Sequence, residues 1–156
     1  MALGVAGVAG LTASACSGGD SVSGERQPKR PATLAPDVAV ATSALAEIRA
    51  TRTAASSTLS RFPASRSRLA PLVGMHQAHE ASLANAVPDR AETSATPAPY
   101  VVPLRSDAAF RRLAAREQQL RATLDSLALE ARSGDFARLL ASMAAGVSQR
   151  LVGWPT

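Results

Sequence analysis

Apolar residues recur in this chain at alternating steps of four and three, and this period constrains the fold more than any other feature. The first series begins after Asp37 and comprises Val38, Ala41, Leu45, Ile48, Arg52, Ala55, Leu59 and Phe62. Residues at this spacing share one face of an α-helix. Because a residue before proline avoids the helical region, Phe62-Pro63 predicts the end of this first amphipathic helix.

A second helix is predicted to begin between Ser67 and Pro71, since proline is tolerated in a first turn, and to end before Pro88. Its series comprises Leu69, Leu72, His76, His79, Leu83 and Ala86. Ser106 or Asp107 is predicted to cap a third helix. The third series comprises Phe110, Leu113, Glu117, Leu120, Leu124, Leu127 and Ala131.

Ser133-Gly134-Asp135 predicts a tight turn, in which the glycine is the C-cap of one helix and the aspartate the N-cap of the next. The fourth helix ends at Gly153-Trp154-Pro155. Its series comprises Phe136, Leu140, Met143, Val147 and Leu151.

Residues 88–106 hold four prolines and form a connection too long for a simple turn. We therefore expect residues 37–154 to form an all-α four-helix bundle, with two helical hairpins joined by a long crossover loop. This is the connectivity of ferritin-like bundles. An up-down bundle with a flexible loop is the alternative. The composition agrees, because abundant alanine and only five aromatic residues suit closely packed helices.

The chain begins with an uncharged apolar stretch, residues 2–15, that fits the hydrophobic region of a signal peptide. No basic residue precedes this stretch, which predicts that translation starts upstream of Met1. Ala13-Ser14-Ala15 supplies small residues for cleavage, and Cys16, the only cysteine, follows directly. This arrangement resembles a bacterial lipobox, although the leucine, Leu11, is two residues further from the cysteine than usual.

A lipobox implies that Cys16 is lipidated and anchors the protein at the extracytoplasmic face of the cell membrane. The alternative is ordinary signal-peptide cleavage, an incidental cysteine and secretion. Residues 17–36 are rich in Gly, Ser and Pro and predict a flexible spacer. The net charge of +5 does not indicate nucleic-acid binding, because the arginines are dispersed among acids and few aromatic residues accompany them.

Polar residues interrupt three of the helical series. Arg52 and His76 lie about eleven residues on either side of the first interhelical turn, and Glu117 lies about ten residues into the third helix, so the three should lie level. The sequence predicts a buried polar layer in which Arg52 pairs with Glu117 and the imidazoles of His76 and His79 complete the hydrogen bonds. Alternatively, each side chain is rotated toward solvent.

The same residues raise the question of a metal site. His76 and His79 share one helical face, and Glu117 adds a carboxylate. Arg52 at the same level would repel a cation, so we expect no metal and no other cofactor. The serines lack a nucleophile-elbow motif, and no catalytic residue is predicted.

With these residues in view, residues 37–153 resemble a group of actinobacterial ferritin-like proteins of unknown function, which are exported and often lipid-anchored. The resemblance rests on the helical layout and on two stretches, Leu72 to Leu83 and Leu139 to Ala145. Ferritin-like metal proteins carry Glu-x-x-His on the second and fourth helices. The fourth helix here reads Val147-Ser148-Gln149-Arg150, so the resemblance implies the fold without its di-iron chemistry.

Together these features predict a non-enzymatic lipoprotein whose bundle is a binding or scaffolding module at the cell envelope, with an envelope protein as a possible partner. The alternative is a metal-binding or redox protein of ferritin-like ancestry that uses His76, His79 and Glu117.

Overall fold

The computed structural model describes residues 36–84 and 99–154, which form four α-helices and contain no strand. A short 3-10 turn, Pro63–Ser65, separates the first two helices. The helices are α1 (Pro36–Arg61), α2 (Arg66–Ala84), α3 (Ser106–Glu130) and α4 (Gly134–Leu151). The prediction of an all-α four-helix bundle is confirmed. Residues 1–35 and most of the predicted connection lie outside the described residues.

The helix caps differ from the predicted ones. The N-cap of α4 is Ser133, whose side chain accepts a hydrogen bond of 3.4 Å from the Phe136 N–H. The predictions of Asp135 as N-cap and Gly134 as C-cap are therefore wrong, because α3 already ends at Ala131 in an extended conformation. Both residues lie in the first turn of α4.

The predicted cap of α3 is also wrong. Arg105 occupies the N-cap position without a side-chain cap, and Ser106 is the first helical residue. Asp107 accepts a hydrogen bond of 3.2 Å from the Arg105 side chain. An acidic residue in a first turn is still favourable, because it faces the positive end of the helix dipole.

The direction of each helix follows from contacts at the two ends of the bundle. The Asp37 carboxylate, at the start of α1, accepts hydrogen bonds from the Arg132 and Ser133 N–H groups just beyond α3. The Phe62 ring, just beyond α1, lies 6.4 Å from the Phe110 ring near the start of α3. Helix α1 is thus antiparallel to α3.

Helix α1 also packs on α2, with which it forms a hairpin, and α4 packs on both α3 and α2. Since α2 and α3 each run opposite to α1, they are parallel to one another. We call the end with Phe62, Phe110 and Trp154 the aromatic end, and the opposite end the Asp37 end.

The core consists mainly of leucine and alanine and forms two apolar clusters. The cluster nearer the aromatic end comprises Ala54, Ala55, Leu69, Leu72 and Leu113. The larger cluster includes Ile48, Leu83, Leu120, Leu124, Leu140 and Val147. Burying each large side chain contributes roughly 1.5–3 kcal/mol relative to exposure. Among the described helices, none is both long and apolar enough to span a membrane.

Candidate functional site

Two polar side chains meet in the centre of the bundle. His76 on α2 and Glu117 on α3 are fully buried, and the His76 Nε2–H donates a hydrogen bond of 2.9 Å to Glu117 Oε1. Their burial follows from the helical period, since each comes one turn after a buried leucine, Leu72 and Leu113 respectively. The structure thus places these two members of the predicted polar layer in the core, bonded to one another.

His79 extends this pair toward α4. Its ring is edge-on to that of His76, with centroids 6.1 Å apart, and its side chain is partly buried. It lies next to Gly146 on α4, since a Cβ atom at that position would be 3.8 Å from His79 Nε2, an ordinary contact. Burial, and secondarily the neighbouring His76, lower the pKa of His79 to about 4. This imidazole is therefore neutral at neutral pH.

Arg52 does not join the buried pair, contrary to the prediction. Its side chain is 36% exposed, and its Nε atom lies 2.5 Å from Glu80 Oε1. The contact is a close ion pair without hydrogen-bond geometry, since neither atom has a hydrogen-bond partner among the described residues. Arg49 contacts the other oxygen of Glu80 at 3.7 Å. Glu80, and not Glu117, is thus the carboxylate that binds both arginines.

Arg52 lies outside the core because of how α1 is rotated about its own axis. Its buried positions include Ile48, Thr51 and Ala55, so the core stripe passes through Thr51 at the level where Arg52 was expected. A stripe through Thr51 and a stripe through Arg52 both keep the spacing of three and four residues. A threonine, however, costs much less free energy to bury than a guanidinium. Arg52 instead lies beside the stripe, where its charge remains in contact with solvent.

Thr51 belongs to a second polar contact, which the sequence did not reveal. Arg116 on α3 donates from Nε to Thr51 Oγ1 at 3.2 Å and from Nη2 to Glu47 at 2.8 Å. Glu47 and Thr51 are four residues apart and therefore lie on one face of α1. That spacing could have indicated a shared polar face on α1, but nothing in the sequence identified Arg116 as the partner of these two residues.

Three buried atoms around the central pair have no hydrogen-bond partner among the described residues: His76 Nδ1, His79 Nδ1 and Glu117 Oε2. Imidazole nitrogens and carboxylate oxygens are also metal ligands. However, no group of three or more His, Cys, Asp or Glu side chains in the described ranges is arranged to hold a metal ion. The buried positions nearby on α1 and α4 hold Thr51 and Val147, so a di-iron carboxylate centre does not fit.

Cys16 and the predicted signal peptide and spacer lie outside the described residues. No protein-family model, curated protein or solved structure matches the chain.

Proposed function

We propose that this chain is an exported, lipid-anchored protein whose four-helix bundle serves as a non-enzymatic binding or scaffolding module at the outer face of a bacterial cell membrane. The observation that carries the proposal is Ala13-Ser14-Ala15-Cys16, which follows an apolar stretch. A Gly/Ser/Pro-rich segment separates this sequence from the first helix at Pro36. A lipid anchor, a spacer and a folded domain would then follow in order.

The burial of the central pair supports a non-enzymatic role. A general acid or base must come within hydrogen-bond reach of its substrate. His76 and Glu117 have no solvent exposure, and each lies between buried leucines of its own helix. Their bond therefore links α2 to α3 across the core, and the outer surface is left as the part that can contact a partner.

We also propose that the bundle is ferritin-like and related to exported actinobacterial proteins. The support is the order and direction of the helices: two hairpins in which α2 and α3 are parallel. Glu117 on α3 bonds to His76 on α2, and under this proposal it corresponds to the third-helix carboxylate of ferritin-like metal proteins. On α1 and α4, Thr51 and Val147 hold the buried positions where such proteins carry ligands.

Lipidation is tested by expressing the gene with its upstream sequence in an actinobacterial host. We expect the mature protein to begin at Cys16, to carry acyl chains by intact-mass analysis, and to fractionate with membranes. Cys16→Ser should lose the acyl mass, whereas the neighbouring Ser17→Ala should keep it. An unmodified N-terminus at Cys16, or cleavage elsewhere, contradicts the anchor.

The binding role is tested by cross-linking the lipidated protein in intact cells. We expect a defined envelope protein to be cross-linked to the surface of the bundle, and the Cys16→Ser protein to lose that product. Cross-links spread over many abundant proteins, in equal yield for both forms, contradict a specific module.

A metal-binding protein is the second candidate function, favoured by the three unpartnered buried atoms of His76, His79 and Glu117. A metal that binds only the folded chain must raise its melting temperature. The measurement uses protein purified without a histidine tag, in the presence of zinc, iron or copper. A rise that both His76→Ala and His79→Ala abolish would establish this candidate, and no rise in the wild type would exclude it.

A further inference from the structure

The exposed arginines at the aromatic end differ from those elsewhere in the bundle. Five of them have no carboxylate within 4.0 Å in the described part of the chain: Arg61, Arg66, Arg68, Arg112 and Arg150. Two further arginines, Arg105 and Arg111, share Asp107. Among the described segments at this end (58–70, 99–112 and 148–154), Asp107 is the only carboxylate.

The rest of the bundle has nearly balanced charge. Five of its six described arginines contact a carboxylate: Arg49 and Arg52 share Glu80, Arg116 contacts Glu47, and Arg121 and Arg138 contact Asp125 and Asp135. Only Arg132 does not. The excess positive charge of the described residues is therefore concentrated at one end.

Exposed apolar side chains lie at the same end. Val101 and Leu104, just before α3, are 66% and 79% exposed, and Val152, just after α4, is 82% exposed. The only other large apolar side chain that is so exposed in the described ranges is Leu129, which lies toward the Asp37 end. Isolated exposed leucines are ordinary in proteins, but three apolar residues among unpaired arginines form a mixed basic and apolar surface.

Aromatic rings contact two of the arginines on this surface. The Arg68 guanidinium lies 4.5 Å from the centre of the Trp154 ring, and Arg112 lies 5.3 Å from that of Tyr100. Trp154 in turn packs edge-on against Phe110. Such cation–π contacts hold the guanidinium groups in place while they remain exposed. Tryptophan and tyrosine are themselves favoured at membrane–water interfaces.

We propose that the aromatic end of the bundle binds the surface of anionic phospholipid bilayers, a function distinct from the lipid anchor. The unpaired arginines contact lipid phosphates, and Val101, Leu104 and Val152 enter the headgroup region. Basic residues near an anionic bilayer each raise affinity about five-fold, and buried apolar side chains add to this. A polyanion such as a nucleic acid would use the arginines but gain little from exposed valine and leucine, which is why a bilayer is the better match.

The spacer is long enough for this contact to coexist with an anchored Cys16. Helix α1 has 26 residues and is about 39 Å long. The twenty residues 16–35 could span at most about 66 Å if fully extended. An anchored chain can therefore place its aromatic end on the same membrane.

The test uses the full chain with Cys16→Ser, so that no acyl chain is present, and flotation with phosphatidylcholine vesicles in which a third of the lipid is phosphatidylglycerol. Pure phosphatidylcholine vesicles are the reference. We expect binding that depends on phosphatidylglycerol and falls at high salt. Arg66→Glu with Arg150→Glu should weaken it about ten-fold or more. Arg121→Glu with Arg132→Glu changes the net charge equally at other positions and should weaken it far less.

Leu104→Ser should also weaken vesicle binding, whereas Leu129→Ser should not. Residues 1–35 are common to all these variants, so the differences report on the bundle, and circular dichroism checks that each variant is folded. Equal losses for the two charge-reversed proteins would overturn the proposal. So would equal binding to both kinds of vesicle, or binding to an oligonucleotide in the absence of binding to vesicles.

Discussion

His76 Nε2 lies 2.9 Å from Glu117 Oε1, and this bond joins α2 to α3 through the middle of a mainly apolar core. Along α2, His76 lies between Leu72 of one apolar cluster and Leu83 of the other, and Glu117 lies between Leu113 and Leu120 on α3. Burying such groups costs free energy, which the bond between them offsets. Losing one partner leaves the other buried without its hydrogen bond.

We therefore expect Glu117→Leu to lower the free energy of unfolding by roughly 2–4 kcal/mol. His76→Met combined with Glu117→Leu should recover most of this loss, because both polar groups are then replaced by apolar ones of similar size. Urea denaturation of the four proteins of this double-mutant cycle measures the coupling.

The matched control for this cycle is Glu130→Leu, at an exposed position of α3. Its effect should lie within about 0.5 kcal/mol. Equal effects of Glu117→Leu and Glu130→Leu would contradict the buried pair. Arg52→Met should also have a small effect, about 1 kcal/mol or less, because its ion pair with Glu80 is partly exposed.

His79 predicts a pH dependence of stability. Its pKa is about 4 in the folded chain, below the ordinary value of 6.5, because burial and the adjacent His76 disfavour the charged imidazole. As the pH falls below 6.5, the unfolded chain takes up this proton first. The stability contributed by neutral His79 is therefore complete above this range and is lost as the pH falls toward 4.

The loss should amount to about 1–2 kcal/mol, because residual solvent contact screens the partly exposed imidazole. The measurement is the free energy of unfolding of the wild type and of His79→Gln across the same pH range. The variant lacks the titrating group, so its stability should fall less steeply with acid. Parallel curves for the two proteins would show that His79 does not carry the effect.

The Asp37 carboxylate connects the start of α1 to the turn between α3 and α4. It accepts hydrogen bonds of 2.7 and 3.0 Å from the Arg132 and Ser133 N–H groups. Asp37→Ala should lower the free energy of unfolding by about 1–2 kcal/mol, because two backbone donors lose a charged acceptor. Asp125→Ala, which removes only an exposed i,i+4 ion pair with Arg121, should cost about 0.5 kcal/mol or less. Similar losses for the two variants, by urea denaturation, would refute this role of Asp37.

The helical period was enough to predict the four-helix bundle and much of its core. In α2 the predicted stripe places Leu69, Leu72, His76 and Leu83 correctly in the interior. The same period failed to separate Arg52 from Thr51, because neighbouring stripes on an alanine-rich helix have similar apolar character. The difference between them is the cost of burying a guanidinium, which depends on the packing of the whole bundle.

The partners of the charged residues could not be predicted for a different reason. Which carboxylate meets Arg116 depends on how α1 and α3 are rotated against each other, and the sequence period does not fix this rotation to within one residue. Arginines without a carboxylate partner among the described residues are concentrated at one end, and this too becomes visible only when the directions of all four helices are known.

The last prediction concerns two glycines, Gly146 within α4 and Gly153 just beyond its end. A Cβ atom at Gly146 would make ordinary contacts of 3.8 Å with His79 and Met75, so Gly146→Ala should raise the free energy of unfolding by about 0.5–1 kcal/mol. Gly153 has a φ of 77°, which an L side chain rarely adopts, and its carbonyl accepts a hydrogen bond from Arg68. Gly153→Ala should therefore lower the free energy of unfolding by about 1 kcal/mol. Thermal and urea denaturation of both variants measure whether their free energies of unfolding change in opposite directions. Destabilisation by Gly146→Ala would mean that α2 and α4 pack more closely around His79 than the structure shows.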